Sequence, residues 1–364
     1  MASAGLNFAN LTPSNGAVRE LRELVFLALA DVESIGGQVN FLPSQKRGDK
    51  VGFVGEFGML GEPASGCDPT YGNDLISTSE KTWDIGEWEI AEGICYADIQ
   101  GTLAKAALKT KTSVDDLTGT EYMDEFLAPR LERAIKKLYN RVGWFGDKAA
   151  SVYSSSNTSG TLKEGQNAKN FTIADGLWKR VFAGVTDGSI ARVTVGANSQ
   201  TTIAAQKTGI AADGVASGIV ESMITSAPAV LRQQSGLRIY MTQALADALT
   251  LDYRHNNKGS DLQWSALTDG ISTAQFAGVE IVAMPFWDEI IQVSLKNTTN
   301  ANAWDKPFRA ILSIKDNLIV GSESADEVAE ISIHFDQKDR KNYIYAKDTI
   351  GTLIAQNNLV VAAY

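Results

Sequence analysis

Residues 121–147, EYMDEFLAPRLERAIKKLYNRVGWFGD, constrain the fold more than any other stretch. Tyr122, Phe126, Leu127, Leu131, Ile135, Leu138 and Val142 recur at steps of roughly three and four, the spacing of one buried helix face. Thr118 and Glu121 form a capping box, in which hydroxyl and carboxylate satisfy the first free N–H groups reciprocally. Pro129 lies inside the pattern and is expected to kink or divide the helix. Gly143 and Gly146 close it. The opposite face, with Arg130, Glu132, Arg133, Lys136 and Lys137, reads as solvated. A chain with one dominant helix must build the rest of its fold around it.

Before this helix the pattern changes twice. Residues 1–13 read as a polar, extended arm ending at Pro13. A helix follows, capped by Ser14 or Asn15, with Leu21, Leu24, Val25 and Leu29 on one face and Gly36-Gly37 at its end. Over residues 38–98 the helical period disappears and turn residues are dense. Val51–Val54 and Trp83–Ile90 read as strands, and Gly61–Asn73, GEPASGCDPTYGN, as the loop between them. This is a long two-stranded excursion. An isolated hairpin is marginally stable, so a projecting one needs a surface to lie on.

Beyond the polar junction 150–170, Phe171–Val185 reads as helix and 190–203 as strand-rich. Ala211–Gln234 reads as helix, with Ile219, Val220, Met223, Ile224 and Leu231 inward and Pro228 in its last third. Leu237–Met241 is a short strand, and Thr242 caps a helix over Gln243–Leu251. Val279–Ala283 is the next strand, stopped by Met284-Pro285. Phe308–Ile314, Asn317–Val320, Glu330–Phe335, Asn342–Ala346 and Leu359–Ala363 complete a β-rich return.

Signals for chemistry are sparse. The sequence has no G-x-S-x-G, P-loop, GxGxxG after a strand or HExxH. Its two histidines, His255 and His334, leave little material for a triad or a His-rich metal site. Cys67, Asp68 and Asp74 fit a turn and match no calcium-loop spacing. The acid pairs Asp115-Asp116 and Asp288-Glu289 read as helix-end or loop charges. Two cysteines without a CxxC exclude a disulfide framework. A net charge of −10 argues against nucleic-acid binding through the average surface, though it suits a wall that repels what it encloses. No signal-peptide pattern opens the sequence, and the longest apolar run, near Leu24–Ala30, is far short of the ~18 residues of a membrane helix. At 364 residues two lobes are expected, with a core that needs no disulfides.

In sum, the order of elements resembles the major capsid proteins of tailed double-stranded DNA bacteriophages, with the Hong Kong 97-type fold. Residues 121–147 resemble the spine helix of that family. IVESMITSAPAVLRQQSGLRIYMTQALADAL (219–249) and FAGVEIVAMP (276–285) are similar to its axial lobe. PFRAILSIKDNLIVGSE (307–323) and EISIHFDQKDRKNYIYAKDTIGTLI (330–354) resemble its peripheral strands and final return.

The resemblance implies an α+β fold with an N-terminal arm and helix (1–40) and an extended E-loop region (41–96). It implies a peripheral domain (97–150 and 305–345) and an axial domain (151–304 and 346–364). It implies a structural protein without catalytic, cofactor or metal residues, self-assembling into pentamers and hexamers of an icosahedral shell around DNA. The expected partners are other copies, a portal, and scaffold or decoration proteins, with no membrane. The expected place is the virion capsid, assembled in the host bacterial cytoplasm. No long scaffolding segment precedes residue 1, so a scaffold would be separate or already removed. Phe8, Lys46, Lys50, Phe53, Phe57, Tyr71, Trp83 and Trp88 are the candidate inter-subunit contacts. No cross-linking motif aligns, so no catalytic residue is carried over. The alternatives are a nanocompartment shell protein of the same fold and a soluble α/β enzyme with an unrecognised site.

Overall fold

The computed structural model describes residues 34–54, 78–95, 127–256, 262–265, 271–324 and 331–364. A single helical turn, α1 (Ile35–Gln38), leads into β1 (Asn40–Leu42). β2 (Lys50–Val54) and β3 (Thr78–Thr82) pair with each other as an antiparallel ribbon, and β4 (Ile85–Cys95) follows. Next come the long helix α2 (Ala128–Phe145), then α3 (Leu177–Thr186), β5 (Ala191–Val193), α4 (Ile203–Ile210), α5 (Val215–Ser226) and α6 (Ala229–Arg232). β6 (Leu237–Thr242), α7 (Gln243–Asn256), β7 (Ser272–Phe276), β8 (Val279–Met284) and α8 (Pro285–Val293) form the next block. The chain closes with β9 (Ala310–Ile314), β10 (Leu318–Gly321), β11 (Ile331–Asp336), β12 (Lys341–Ile354) and β13 (Val361–Ala363).

Two larger sheets organise these elements. The five-stranded sheet is built on β12. β4 pairs antiparallel along Lys341–Gly351, and β11 and then β10 share the other side, with β1 parallel to β10. Alternation along β12 decides its faces: Asn342, Ile344, Ala346, Asp348 and Ile350 are buried, whereas Tyr345 and Lys347 are exposed. The six-stranded sheet runs β5-β13-β9-β6-β8-β7. Its central strands, LRIYMT and VEIVAM, are apolar at nearly every position because both faces are covered.

Those two faces feed two cores. Tyr240, Val282, Ile311 and Ala362 pack with Ile135, Tyr139 and Val142 of α2, Trp178 of α3 and Trp287 of α8. Ala346, Ile350 and Val320 of the five-stranded sheet join this same cluster. Ile239, Met241, Ile281, Ala283 and Leu312 face the other way, onto Ile219, Val220 and Met223 of α5 and Leu245 and Leu249 of α7. At the centre of the first core Trp144, Phe145 and Trp178 meet Trp287 edge-on, with ring centroids 4.7, 6.1 and 5.3 Å apart. Each such pair contributes about 0.5–1.5 kcal/mol beyond its burial.

Several expectations change. Pro129 sits in the first described turn of α2, after Leu127, which is itself in helical conformation; the residues before Leu127, on which a kink or division would fall, lie outside the described residues. The capping box at 118–121 lies outside the described residues. Gly143 lies within α2, which ends at Gly146. Helix α3 begins only at Leu177, and 190–203 holds one three-residue strand followed by helix. Pro228 separates α5 from α6. Pro285 opens α8 as well as closing β8. Polar STAQF is a strand, joined to β8 by Ala277-Gly278; both residues have positive φ (50° and 79°), the backbone of a tight hairpin turn.

Strand pairing crosses the expected positions 305 and 346. β9 pairs with β6 and β13 in the six-stranded sheet, and residues 346–354 continue β12 in the five-stranded one. β4, inside the expected E-loop region, is a full member of the five-stranded sheet. Among the described residues the excursion is therefore β2 and β3.

Candidate functional site

Among the described residues the β2–β3 ribbon has no third strand. It carries Lys50, which pairs with Glu80 across the ribbon at 2.5 Å with both side chains more than half exposed. Lys46, in the turn before β2, is exposed, and its backbone N–H donates to Asp49 Oδ2 at 2.7 Å. Phe53 lies in β2 opposite Ser79. Phe8, Phe57 and Tyr71 lie outside the described residues.

Trp83 and Trp88 are different, and here the sequence reading is corrected. Trp83 is 1% exposed and Trp88 4%. Trp88 packs edge-on against Tyr139 of α2, with centroids 5.8 Å apart. Trp83 packs with Ile85, Ile319 and Leu353 in a small cluster of its own. Both aromatics are consumed inside the chain and offer no side-chain surface to a neighbour.

Among the described residues, one face of the five-stranded sheet is uncovered. It presents Tyr345, Lys347, Glu87 and Glu89, with Lys347 and Glu87 paired at 3.1 Å. His334 of β11 stacks on Tyr343 of β12 on this face, with centroids 5.7 Å apart. The other histidine, His255, lies at the end of α7 beside Asp213, 3.0 Å away and exposed. Among the described residues no three of His, Cys, Asp and Glu gather as metal ligands, and no helix is long and apolar enough to cross a membrane.

Sequence reasoning assigned no role to Arg309, which lines a cleft among the described residues. This cleft of about 700 Å³ is floored by Phe145, Phe171, Trp178 and Phe182. The buried guanidinium lies 5.6, 5.4 and 5.5 Å from the rings of Phe145, Trp178 and Phe182. Its Nη2 donates to Asp305 Oδ2 at 2.6 Å and to the Asp305 carbonyl at 2.8 Å, and Nε donates to the Lys306 carbonyl at 2.8 Å. Burial lowers its pKa and Asp305 opposes that. Lys179 and Lys306 at the rim are taken by Asp147 and Asp305, at 3.1 and 2.9 Å. These charges are paired, and the arrangement braces the loop at 305–309 against α3.

Asp288 is the other buried charge of note. From the first turn of α8 it accepts the N–H of Gln243 at 2.6 Å and of Ala244 at 3.3 Å, capping α7 from a different element. Thr242, expected to be that cap, has a buried hydroxyl with no hydrogen-bond partner among the described residues. Burial pushes the Asp288 carboxyl up to about 6; the two N–H bonds oppose the rise and Asp247 adds to it.

No known protein-family profile matches this sequence, and no curated protein does. Solved structures do. The capsid of an empty GTA particle matches with a TM-score of 0.53 at 10% identity, over 98% of this chain and 95% of that one. A chain of Gordonia phage Cozz matches with a TM-score of 0.52 at 10% identity, over 97% and 91%. A chain of Mycobacterium phage Ogopogo matches with a TM-score of 0.51 at 10% identity, over 93% and 94%. The fold is the phage-capsid fold. The match runs nearly end to end on both sides, so it concerns the whole arrangement of elements and not one lobe.

Proposed function

We propose that this chain is the major capsid subunit of a tailed phage, assembling into pentamers and hexamers of an icosahedral shell around double-stranded DNA. The observation that carries the reading is the fold match to the GTA capsid over 98% of this chain. In this reading the β2–β3 ribbon with residues 55–77 is the E-loop, and α2 is the spine helix. The five-stranded sheet belongs to the peripheral domain, and the six-stranded sheet with α5 and α7 to the axial domain.

The exposed surfaces support it. A two-stranded ribbon lacks the burial to hold itself and gains it from a neighbour. Subunits in rings meet through heterologous contacts that close on themselves. Interfaces of obligate assemblies commonly bury ~2,000–5,000 Å². Lys46, Lys50 and Phe53 remain contact candidates, with Phe8, Phe57 and Tyr71 beside them. The function needs no catalytic group, and a charge of −10 disfavours adhesion to enclosed DNA. Partners in this reading are further copies, a portal, and scaffold or decoration proteins. Its place is the virion capsid, built in the host bacterial cytoplasm.

Size-exclusion chromatography and negative-stain electron microscopy of the purified protein test the proposal. Closed particles, or rings of five or six, are expected. A monomer that persists across concentration, with crowding agents and with scaffold from the same source, would overturn it.

A further inference from the structure

The ribbon leaves the body at Trp83, between β3 and β4. Trp83 N–H donates to the Asp49 carbonyl at 2.9 Å, and Gly48 N–H donates to the Trp83 carbonyl at 3.2 Å, so the ribbon's pairing ends at this residue. Its indole lies over a cross-strand pair of glycines, Gly321 of β10 opposite Gly351 of β12. A Cβ on Gly321 would come within 2.9 Å of Trp83 Cη2, and one on Gly351 within 3.2 Å of its Cε3. Two facing glycines weaken a sheet by leaving backbone uncovered, and an aromatic ring laid over them repairs that. The slot and the ring thus complete each other. Leu42, Val51 and Ala355 close the sides, and the cluster is separate from both large cores.

A second point of attachment lies two residues earlier, on the same side of the strand by β alternation. Lys81 Nζ donates to the Ile354 carbonyl at 2.6 Å and to Asn357 Oδ1 at 3.0 Å. Ile354 is the last residue of β12 and lies past Gly351, where pairing with β4 ends. Burial lowers the Lys81 pKa, Arg180 adds to this and Asp187 opposes it. Beside Trp83, Asp84 is held by Lys148 at 2.6 Å.

We propose that Trp83 in its glycine slot and Lys81 on the end of β12 form a two-point mount that fixes the direction in which the ribbon projects. One point would leave the ribbon free to swing about it. Two, separated by ~7 Å along the strand, fix its direction. The use of that direction, to place the ribbon on a neighbouring copy, rests on the reading of the chain as a shell subunit; the mount itself does not.

The test is amide hydrogen exchange on the unassembled full chain, with microscopy of assembled material in parallel, for Lys81→Met, Lys81→Arg and Trp83→Leu. Lys81→Met keeps the apolar stem and removes only the strap. The expected result is exchange faster by about tenfold or more in residues 50–54 and 78–82 for Lys81→Met and Trp83→Leu. Exchange in α2 and β6 should stay unchanged, Lys81→Arg should restore protection, and shells should be lost or irregular. Unchanged ribbon exchange in Lys81→Met overturns the mount even if Trp83→Leu fails to fold. A loosened ribbon with regular shells overturns its role in placement. Failure of the wild type to assemble would count against the shell reading alone, because the exchange result stands without it.

Discussion

At the scale of single residues, the groups that organise this molecule are the ones whose partners lie far away in sequence. Asp288 illustrates it. Its character as a helix-end charge was legible, but not that it would cap α7, 45 residues upstream. The pH consequence follows from its pKa. A carboxyl near 6 in the folded chain, against an ordinary value near 4, binds its proton more tightly folded than unfolded. Its contribution to stability is fully present below about pH 4 and is lost as pH rises through 6, a change of about 3 kcal/mol. Asp288→Asn should therefore flatten the pH dependence of stability between pH 4.5 and 7.5 relative to the wild type. Urea midpoints of both proteins across that range decide it, and parallel curves would refute it. Trp83 and Trp88 teach the converse. Their place in the expected E-loop region made them contact candidates, and they are core because Gly321 and Gly351 open a slot for one and Tyr139 meets the other. No local pattern encodes glycines facing each other across two strands.

At the scale of elements, legibility followed burial. β6, β8 and α5 were readable because sheet and helix periods are enforced by two large cores. β7 was not, because as an edge strand it carries STAQF with little to bury. α8 was hidden because Pro285 is at once a strand stop and a favoured first helical residue. The ribbon invites a direct experiment. Val54 lies opposite Thr78, so residues 55–77 can be replaced by Asn-Gly, the preferred two-residue turn. Both mount residues and the whole of β4 remain. The shortened chain should keep the thermal unfolding midpoint of the parent and fail to form shells. Regular shells from it would show that residues 55–77 are dispensable for contact; a collapsed midpoint would show that they serve the fold instead.

At the scale of the whole molecule, a net charge of −10 bears on the proposed assembly into a shell. Bringing many copies of an acidic chain into one shell concentrates like charge, and this repulsion opposes the apolar burial that draws the copies together. The two respond oppositely to salt. The Debye length falls from ~10 Å at 0.1 M to ~3 Å at 1 M, so repulsion between exposed charges is largely screened while burial of apolar surface is not weakened. Within the chain, exposed pairs such as Lys50–Glu80 and Lys347–Glu87 contribute little, and their screening leaves the subunit intact. The protein concentration needed for assembly should accordingly fall as sodium chloride rises from about 0.1 to 1 M. Light scattering against protein concentration at several salt levels measures it. A threshold that rises with salt would mean that the contacts between copies are dominated by opposite charges, and would direct attention to Lys46 and Lys50 of the ribbon and the glutamates of β4 as partners across the interface.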